Sequence, residues 1–146
     1  MTTRYDGGLN RYVHQDGAVP VLLELRTRIT LAQLNAGFTL LDPIPGFRYR
    51  LVDADLCAVG GAAAVGTSVN LIGTRAAAAV QLLVAAIAAL GQSVLAKIGA
   101  ANMVILADGA SFTQLDANTG ITVITVGTAM TTLTSLDVKL KYVIEE

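Results

Sequence analysis

The two residues whose spacing most readily suggests chemistry are Asp53 and Asp55. Side chains two apart on a regular strand point to the same face, so both carboxylates could serve acid-base catalysis or hold a hard cation. A solvated strand face is the ordinary role of such a pair. A change in the apolar pattern just before Asp53 also predicts either a bulge or a strand that is covered on both sides. A bulge bears on whether the two carboxylates share a face.

His14 and Cys57 are the only histidine and the only cysteine of the chain. They could form a nucleophile-base pair, but Cys57 lies in an apolar stretch where a buried, inert thiol is the usual outcome. One cysteine and one histidine supply neither an internal disulfide nor a Cys/His zinc cluster. The glycine-rich segment 60–66 lacks the lysine and hydroxyl residue of a phosphate loop, and Asp108 and Asp116 are typical of turns. No motif identifies a reaction, so we expect no enzymatic activity, no cofactor and no metal site.

Three predicted strands each carry two basic residues at i and i+2. If the strands are neighbours, the six cations share one surface. These residues are Arg26 and Arg28, Arg48 and Arg50, and Lys139 and Lys141. They either discourage aberrant pairing of exposed strands or form a face that docks on an acidic protein surface.

The composition predicts one folded domain with a large core. Of 146 residues, 53% are apolar and 14% are charged, and the net charge is −1, so there is no positive field for nucleic acid. Charge is concentrated near the two ends, because residues 56–136 carry only Arg75, Lys97, Asp108 and Asp116. We therefore expect this middle segment to be buried.

The segment Ala76–Ala96 approaches the length of a membrane span. It is rich in alanine, whose transfer free energy is small, and Gly91 to Ser93 interrupt it, so we expect no membrane insertion. The first residues also lack the continuous apolar region of a secretory signal. A reducing cytoplasm, or a particle assembled there, fits the single cysteine.

Alternating patterns predict several strands. Val21–Ile29, a long strand from Phe47 with an apolar face that changes side near Val52, Ile121–Val126 and Leu136–Ile144 are the clearest. Short strands separated by Gly, Asn, Asp and Pro turns predict a mostly β fold, an antiparallel sandwich or jelly roll over residues 20–146.

Two helical turns are expected within this β domain. Thr30 with Gln33 forms a capping-box pattern that Gly37 ends, and 86–90 is the second turn. Residues 77–85 are predicted as a buried strand, with a single helix from Arg75 to Leu90 as the alternative, because alanine favours helix.

Residues 1–19 show neither helical nor strand periodicity and are predicted to be an extended N-terminal arm. Tyr5 and Tyr12 are ring systems of the type that anchors interfaces, and they pack either on their own domain or on a neighbouring subunit. Together with the high apolar fraction, the arm predicts a homodimer or homotrimer.

Four segments carry a resemblance to a known class of proteins: 38–46 (FTLLDPIPG), 49–53 (YRLVD), 105–112 (ILADGASF) and 136–144 (LDVKLKYVI). Through these four segments, the region 20–146 resembles the β-rich cement, or decoration, proteins of tailed-bacteriophage capsids. The resemblance implies a jelly-roll-like sandwich, no catalysis, the major capsid (shell) protein as partner, and a place in a virion assembled in the host cytoplasm. A tail or neck component, or a carbohydrate- or receptor-binding module, are the alternatives.

Overall fold

The computed structural model describes residues 3–6, 11–14 and 21–146, and in these ranges the chain is mostly β. Its strands are β1 (Thr3–Asp6), β2 (Arg11–His14), β3 (Leu22–Thr30), β4 (Phe38–Leu41), β5 (Arg48–Val59), β6 (Ser68–Arg75), β7 (Ala78–Ala86), β8 (Leu95–Lys97), β9 (Met103–Ile105), β10 (Ile121–Val126) and β11 (Ser135–Glu145). One α-helix, α1 (Leu31–Ala36), and two 3-10 helices, Ile87–Ala89 and Ala107–Phe112, complete the described elements. The predicted fold class is confirmed.

Nine strands form two antiparallel sheets that share one core. The four-stranded sheet has the order β3-β11-β5-β8, and the five-stranded sheet has the order β4-β10-β6-β7-β9. The first sheet contributes Leu56 and Leu140 to the core, and the second contributes Leu71 and Val123. When β9 is left aside, β3 pairs with β11, β4 lies beside β10, β5 beside β8 and β6 beside β7. This pairing of the first strand with the last, and of each following strand with the one before that partner, is the topology of a jelly roll.

Sequence alternation explains β3 and β11. Leu25 and Ile29 of β3 and Leu136 and Leu140 of β11 face the core, while charged residues alternate with them on the outer side. The nine residues of β3 pair with β11 without a shift of register. Because both strands keep a strict period of two, their predicted faces are confirmed.

The expected change of face in β5 is a β-bulge. Tyr142 of β11 pairs with Leu51 and the preceding Lys141 pairs with Asp53, which leaves Val52 as the extra residue. The bulge returns the following apolar side chains, such as Leu56, to the core. It also keeps Asp53 and Asp55 together on the outer face.

The alanine-rich segment is strand β7, so the predicted strand is confirmed and the alternative single helix is wrong. β7 pairs with β6 on one side and with β9 on the other, and this pairing outweighs the helix propensity of alanine. The two-residue turn Ala76–Ala77 joins β6 to β7 with φ of 51° and 60°. The Asp116 carboxylate accepts hydrogen bonds from both backbone N–H groups of this turn, at 3.1 and 2.8 Å.

The helix α1 agrees with its sequence pattern, whereas the 3-10 helix at 107–112 was not predicted. Thr30 and Gln33 form the predicted capping box at α1, and Gly37 ends the helix with φ of 83°. Asp108, interpreted from the sequence as a turn residue, lies in a 3-10 helix over Ala107–Phe112. Arg75 fixes this segment by donating hydrogen bonds to three carbonyl groups, that of Ala110 within it and those of Thr113 and Gln114 directly after it.

The N-terminal arm contains more regular backbone than expected. β1 and β2 pair antiparallel, with Tyr5 opposite Tyr12, as a separate two-stranded sheet. Residues 1–19 show no strand periodicity, yet these two segments of the predicted extended arm pair as strands. The rest of the arm and the positions of both tyrosine side chains lie outside what the structure describes. Among the described residues no helix is long and apolar enough to cross a membrane.

Candidate partner-binding surfaces

The six predicted cations do share one surface, the outer side of the four-stranded sheet. We call this surface the charged face. Its ionisable residues are Glu24, Arg26, Arg28, Arg48, Arg50, Asp53, Asp55, Lys97, Asp137, Lys139, Lys141 and Glu145. Five of the twelve are carboxylates, so cations and anions are interspersed on this face. Docking of the face on an acidic protein surface stays a prediction.

Cross-strand register places opposite charges next to each other on this face. Arg28 lies opposite Asp137, and its guanidinium donates two hydrogen bonds to the carboxylate, at 2.6 and 2.8 Å. This pairing lowers the pKa of Asp137 and raises that of Arg28. At the other end of the face, the hydrogen bond from Arg50, at 2.8 Å, lowers the pKa of Glu145.

Asp55 is the most enclosed charge of the face, with only 3% of its side chain exposed. Lys97 Nζ lies 3.2 Å from one carboxylate oxygen, and Lys139 Nζ lies 3.5 Å from the other. Asp53 is a second, weaker partner of Lys97, at 3.8 Å. The hydrogen bond with Asp55 raises the pKa of Lys97. The two aspartates of β5 therefore form ion pairs with lysines of the two neighbouring strands, β8 and β11.

A groove of about 460 Å³ lies across this face. It is lined by Arg26, Thr27, Arg28, Asp55, Cys57, Leu95, Asp137, Val138 and Lys139. Cys57 is a free thiol on the outer side of β5, half-buried between Asp137 and Leu95. Cys57 is thus only half-buried, whereas its apolar stretch indicated a buried thiol. The position of the His14 side chain lies outside the described residues. Within those residues no group of three or more potential metal ligands occurs.

The outer side of the five-stranded sheet carries no ionisable side chain on its strands. We call it the neutral face. Its residues are Thr39, Ser68, Asn70, Ile72, Thr74, Ala79, Gln81, Val84, Ala86, Val104, Thr122, Ile124 and Val126. Val104 is 61% exposed and Val126 is 36% exposed, whereas Asn70 at the centre is 2% exposed. The charge-poor middle of the chain thus forms an outer surface of the sandwich as well as part of the core. The expectation that this whole segment is buried is therefore wrong.

Sequence reasoning missed the neutral face and the ion pairs of the charged face. The signal for the neutral face was present, because residues 68–74, 78–86 and 121–126 contain no charged residue. The ion pairs of the charged face depend on the register between strands, which cannot be read from the sequence. No protein-family model, curated protein or solved structure matches this chain.

Proposed function

We propose that this chain is a structural, non-catalytic protein that attaches to the outside of a tailed-bacteriophage capsid and stabilises it. The observation that supports this most directly is the neutral face. A five-stranded surface without charge is suited to being covered, since the centres of protein interfaces are depleted of charged residues. The resemblance in segments 38–46 and 136–144 supplies the partner, the major capsid protein.

The neutral face is favoured over the charged face as the contact surface on energetic grounds. Covering the charged face would remove water from twelve ionisable groups, ten of which already form ion pairs within the sheet. Covering the neutral face displaces water from threonine hydroxyl groups, from the exposed Gln81 carboxamide and from apolar side chains, including the exposed Val104. The second cost is much smaller, so the same contact area leaves more net binding free energy.

Binding to assembled shells tests the proposal. Purified protein is mixed with a panel of expanded, DNA-free shells of tailed phages, and the bound fraction is measured by co-sedimentation and located by electron microscopy. We expect regular density on the outer surface. Failure to bind any shell would overturn the proposal. Density at the tail or neck instead would show the alternative structural location.

A pair of valine variants tests the contact surface. Val104→Glu places a charge on the neutral face, and Val94→Glu is the matched control because Val94 is 53% exposed in the turn before β8. We expect Val104→Glu to weaken shell binding by at least about tenfold, because an unpaired carboxylate is desolvated in the interface. The control should bind as the parent does. Equal binding of the two variants would show that another surface makes the contact.

A further inference from the structure

The edge strands of the sandwich are unequal, and β3 is the exception. β4, β8 and β9 have four, three and three residues, whereas β3 has nine. β3 is also straight in register along β11 and has no proline within it. No strand in the described ranges pairs with its outer side. Since proteins usually protect sheet edges by shortening or distorting them, a long regular edge is suited to pairing.

The hydrogen-bonding parity of the sheet shows which backbone groups this edge offers. Ile98 N–H donates to Ala54 C=O at 2.9 Å, so the even-numbered residues in this part of β5 bond to β8 and the odd-numbered residues to β11. Asp55 lies opposite Lys139, so the odd-numbered residues of this part of β11 bond to β5 and its even-numbered residues bond to β3. Leu140 lies opposite Leu25, so the odd-numbered residues of β3 bond to β11. The backbone groups of the even-numbered residues from Leu22 to Arg28 therefore face outward from the sheet edge.

The end of this edge is closed by a side chain. Thr30 is the next even-numbered residue, and its N–H donates to Gln33 Oε1 at 3.0 Å. The capping box of α1 thus satisfies the last donor of the edge. This leaves a pairing segment of Leu22–Arg28.

The charges along the edge distinguish a second copy of this chain from an arbitrary strand. Glu24 and Arg26 lie on the outer face and form an ion pair with each other. When two such edges meet antiparallel with Leu25 opposite Leu25, Glu24 of each copy lies opposite Arg26 of the other. Pairing about Arg26 instead would place the two Arg26 side chains against each other. The pattern is therefore self-complementary in one register.

We propose that two copies of this chain associate through their β3 edges in that register, so that two four-stranded sheets become one eight-stranded sheet. Residues 22, 24, 26 and 28 of each copy exchange about eight backbone hydrogen bonds across the two-fold axis. Leu25, which packs partly against the core, meets its counterpart at the axis and adds apolar contact. This interface is separate from the neutral face, which stays free for another partner.

Sedimentation equilibrium on the full chain, in the absence of shells, measures the association. We expect a concentration-dependent dimer at or below about 100 μM. Glu24→Arg and Arg26→Glu should each weaken the dimer at least about tenfold, because each places like charges opposite one another. The double variant, Glu24→Arg with Arg26→Glu, should recover the parent affinity.

The double variant also identifies the register. If position 26 lay at the axis, the arginine introduced at position 24 would lie opposite Arg28 of the other copy, and no recovery would occur. A monomer throughout the concentration range, single variants that associate as the parent does, or a double variant that fails to recover would each overturn the proposal. Circular dichroism of the three variants verifies folding. The result is independent of shell binding, because no shell is present in the measurement.

Discussion

The two outer faces of the sandwich differ in the side chains that they expose to solvent. The charged face surrounds each lysine and most arginines with carboxylates from adjacent strands, as at Asp55 between Lys97 and Lys139. The neutral face has no charge and exposes short side chains with a few large apolar ones, such as Val104. The comparison teaches that one face is stabilised by contacts within its own sheet, whereas the other is available for contacts outside it.

The largest effect is expected from placing a charge at the centre of the neutral face. Asn70→Asp keeps the shape of the side chain but buries a carboxylate beside Ser68, whose hydroxyl already donates to Asn70 at 2.7 Å. We expect a loss of about 2 to 4 kcal/mol in the free energy of unfolding at neutral pH. Urea unfolding measures it, with Gln81→Glu, an exposed change on the same face, as a control within about 0.5 kcal/mol of the parent.

The pH dependence of the Asn70→Asp variant sharpens this test. Burial raises the pKa of the new carboxyl in the folded state, so the folded protein favours its protonated form. The loss is therefore fully present above the folded-state pKa and diminishes as the pH falls towards the ordinary value of about 4. A loss that does not depend on pH would show that altered packing, and not charge, causes the destabilisation.

The next effect is expected at the centre of the charged face. Asp55→Asn removes the carboxylate shared by two lysines and leaves a buried carboxamide in its place. We expect a loss of about 1 to 3 kcal/mol in chemical denaturation. Asp53→Asn is the matched comparison and should lose less, since Asp53 is more exposed and lies 3.8 Å from Lys97. An equal loss in the two variants would contradict the role assigned to the burial of Asp55.

A smaller gain is expected in the turn between β6 and β7, the hairpin that carries much of the neutral face. Ala77 has φ of 60°, a conformation that costs energy for alanine and little for glycine. We expect Ala77→Gly to raise the free energy of unfolding by about 0.5 to 1 kcal/mol. Ala79→Gly, within β7, should lower it by a similar amount. Thermal unfolding of both variants checks the opposite signs.

The smallest effect is expected from the exposed ion pairs of the charged face. Pairing lowers the folded-state pKa of Asp137 and of Glu145, so both stabilise the fold above their unfolded-state pKa of about 4. This contribution is lost as the pH falls through the lowered folded-state values. Asp137→Asn should make the unfolding free energy fall less steeply with acid than in the parent. An unchanged slope would show that the Arg28 pair contributes nothing to stability.

The sequence predicted those elements whose pattern is local. β3 and β11 alternate strictly, the parity change at Val52 indicated either a bulge or a strand covered on both sides, and Thr30 with Gln33 defined the start of α1. For β7 the alanine content left strand and helix open, and only pairing with its neighbours decides between them. Local pattern therefore predicts elements well where propensity and periodicity agree.

The surfaces were harder to predict because they depend on strand order. Placing six cations on one face required only that three strands be neighbours. Finding their partners required the register that sets Arg28 against Asp137 and Lys139 against Asp55. Lack of charge, likewise, does not distinguish a buried strand from one whose outer side is neutral, as Val104 demonstrates.

The central position of β11 has a consequence for how the protein folds as it is synthesised. Ser135–Glu145, at the far end of the sequence, lies between β3 and β5, which do not pair with each other. Until that segment has left the ribosome, β3 has no strand partner in its sheet and its apolar side remains uncovered. Closure of so large a loop is entropically costly and late. The sandwich therefore reaches its native topology only after Ser135–Glu145 has emerged, and until then the nascent domain depends on protection from aggregation.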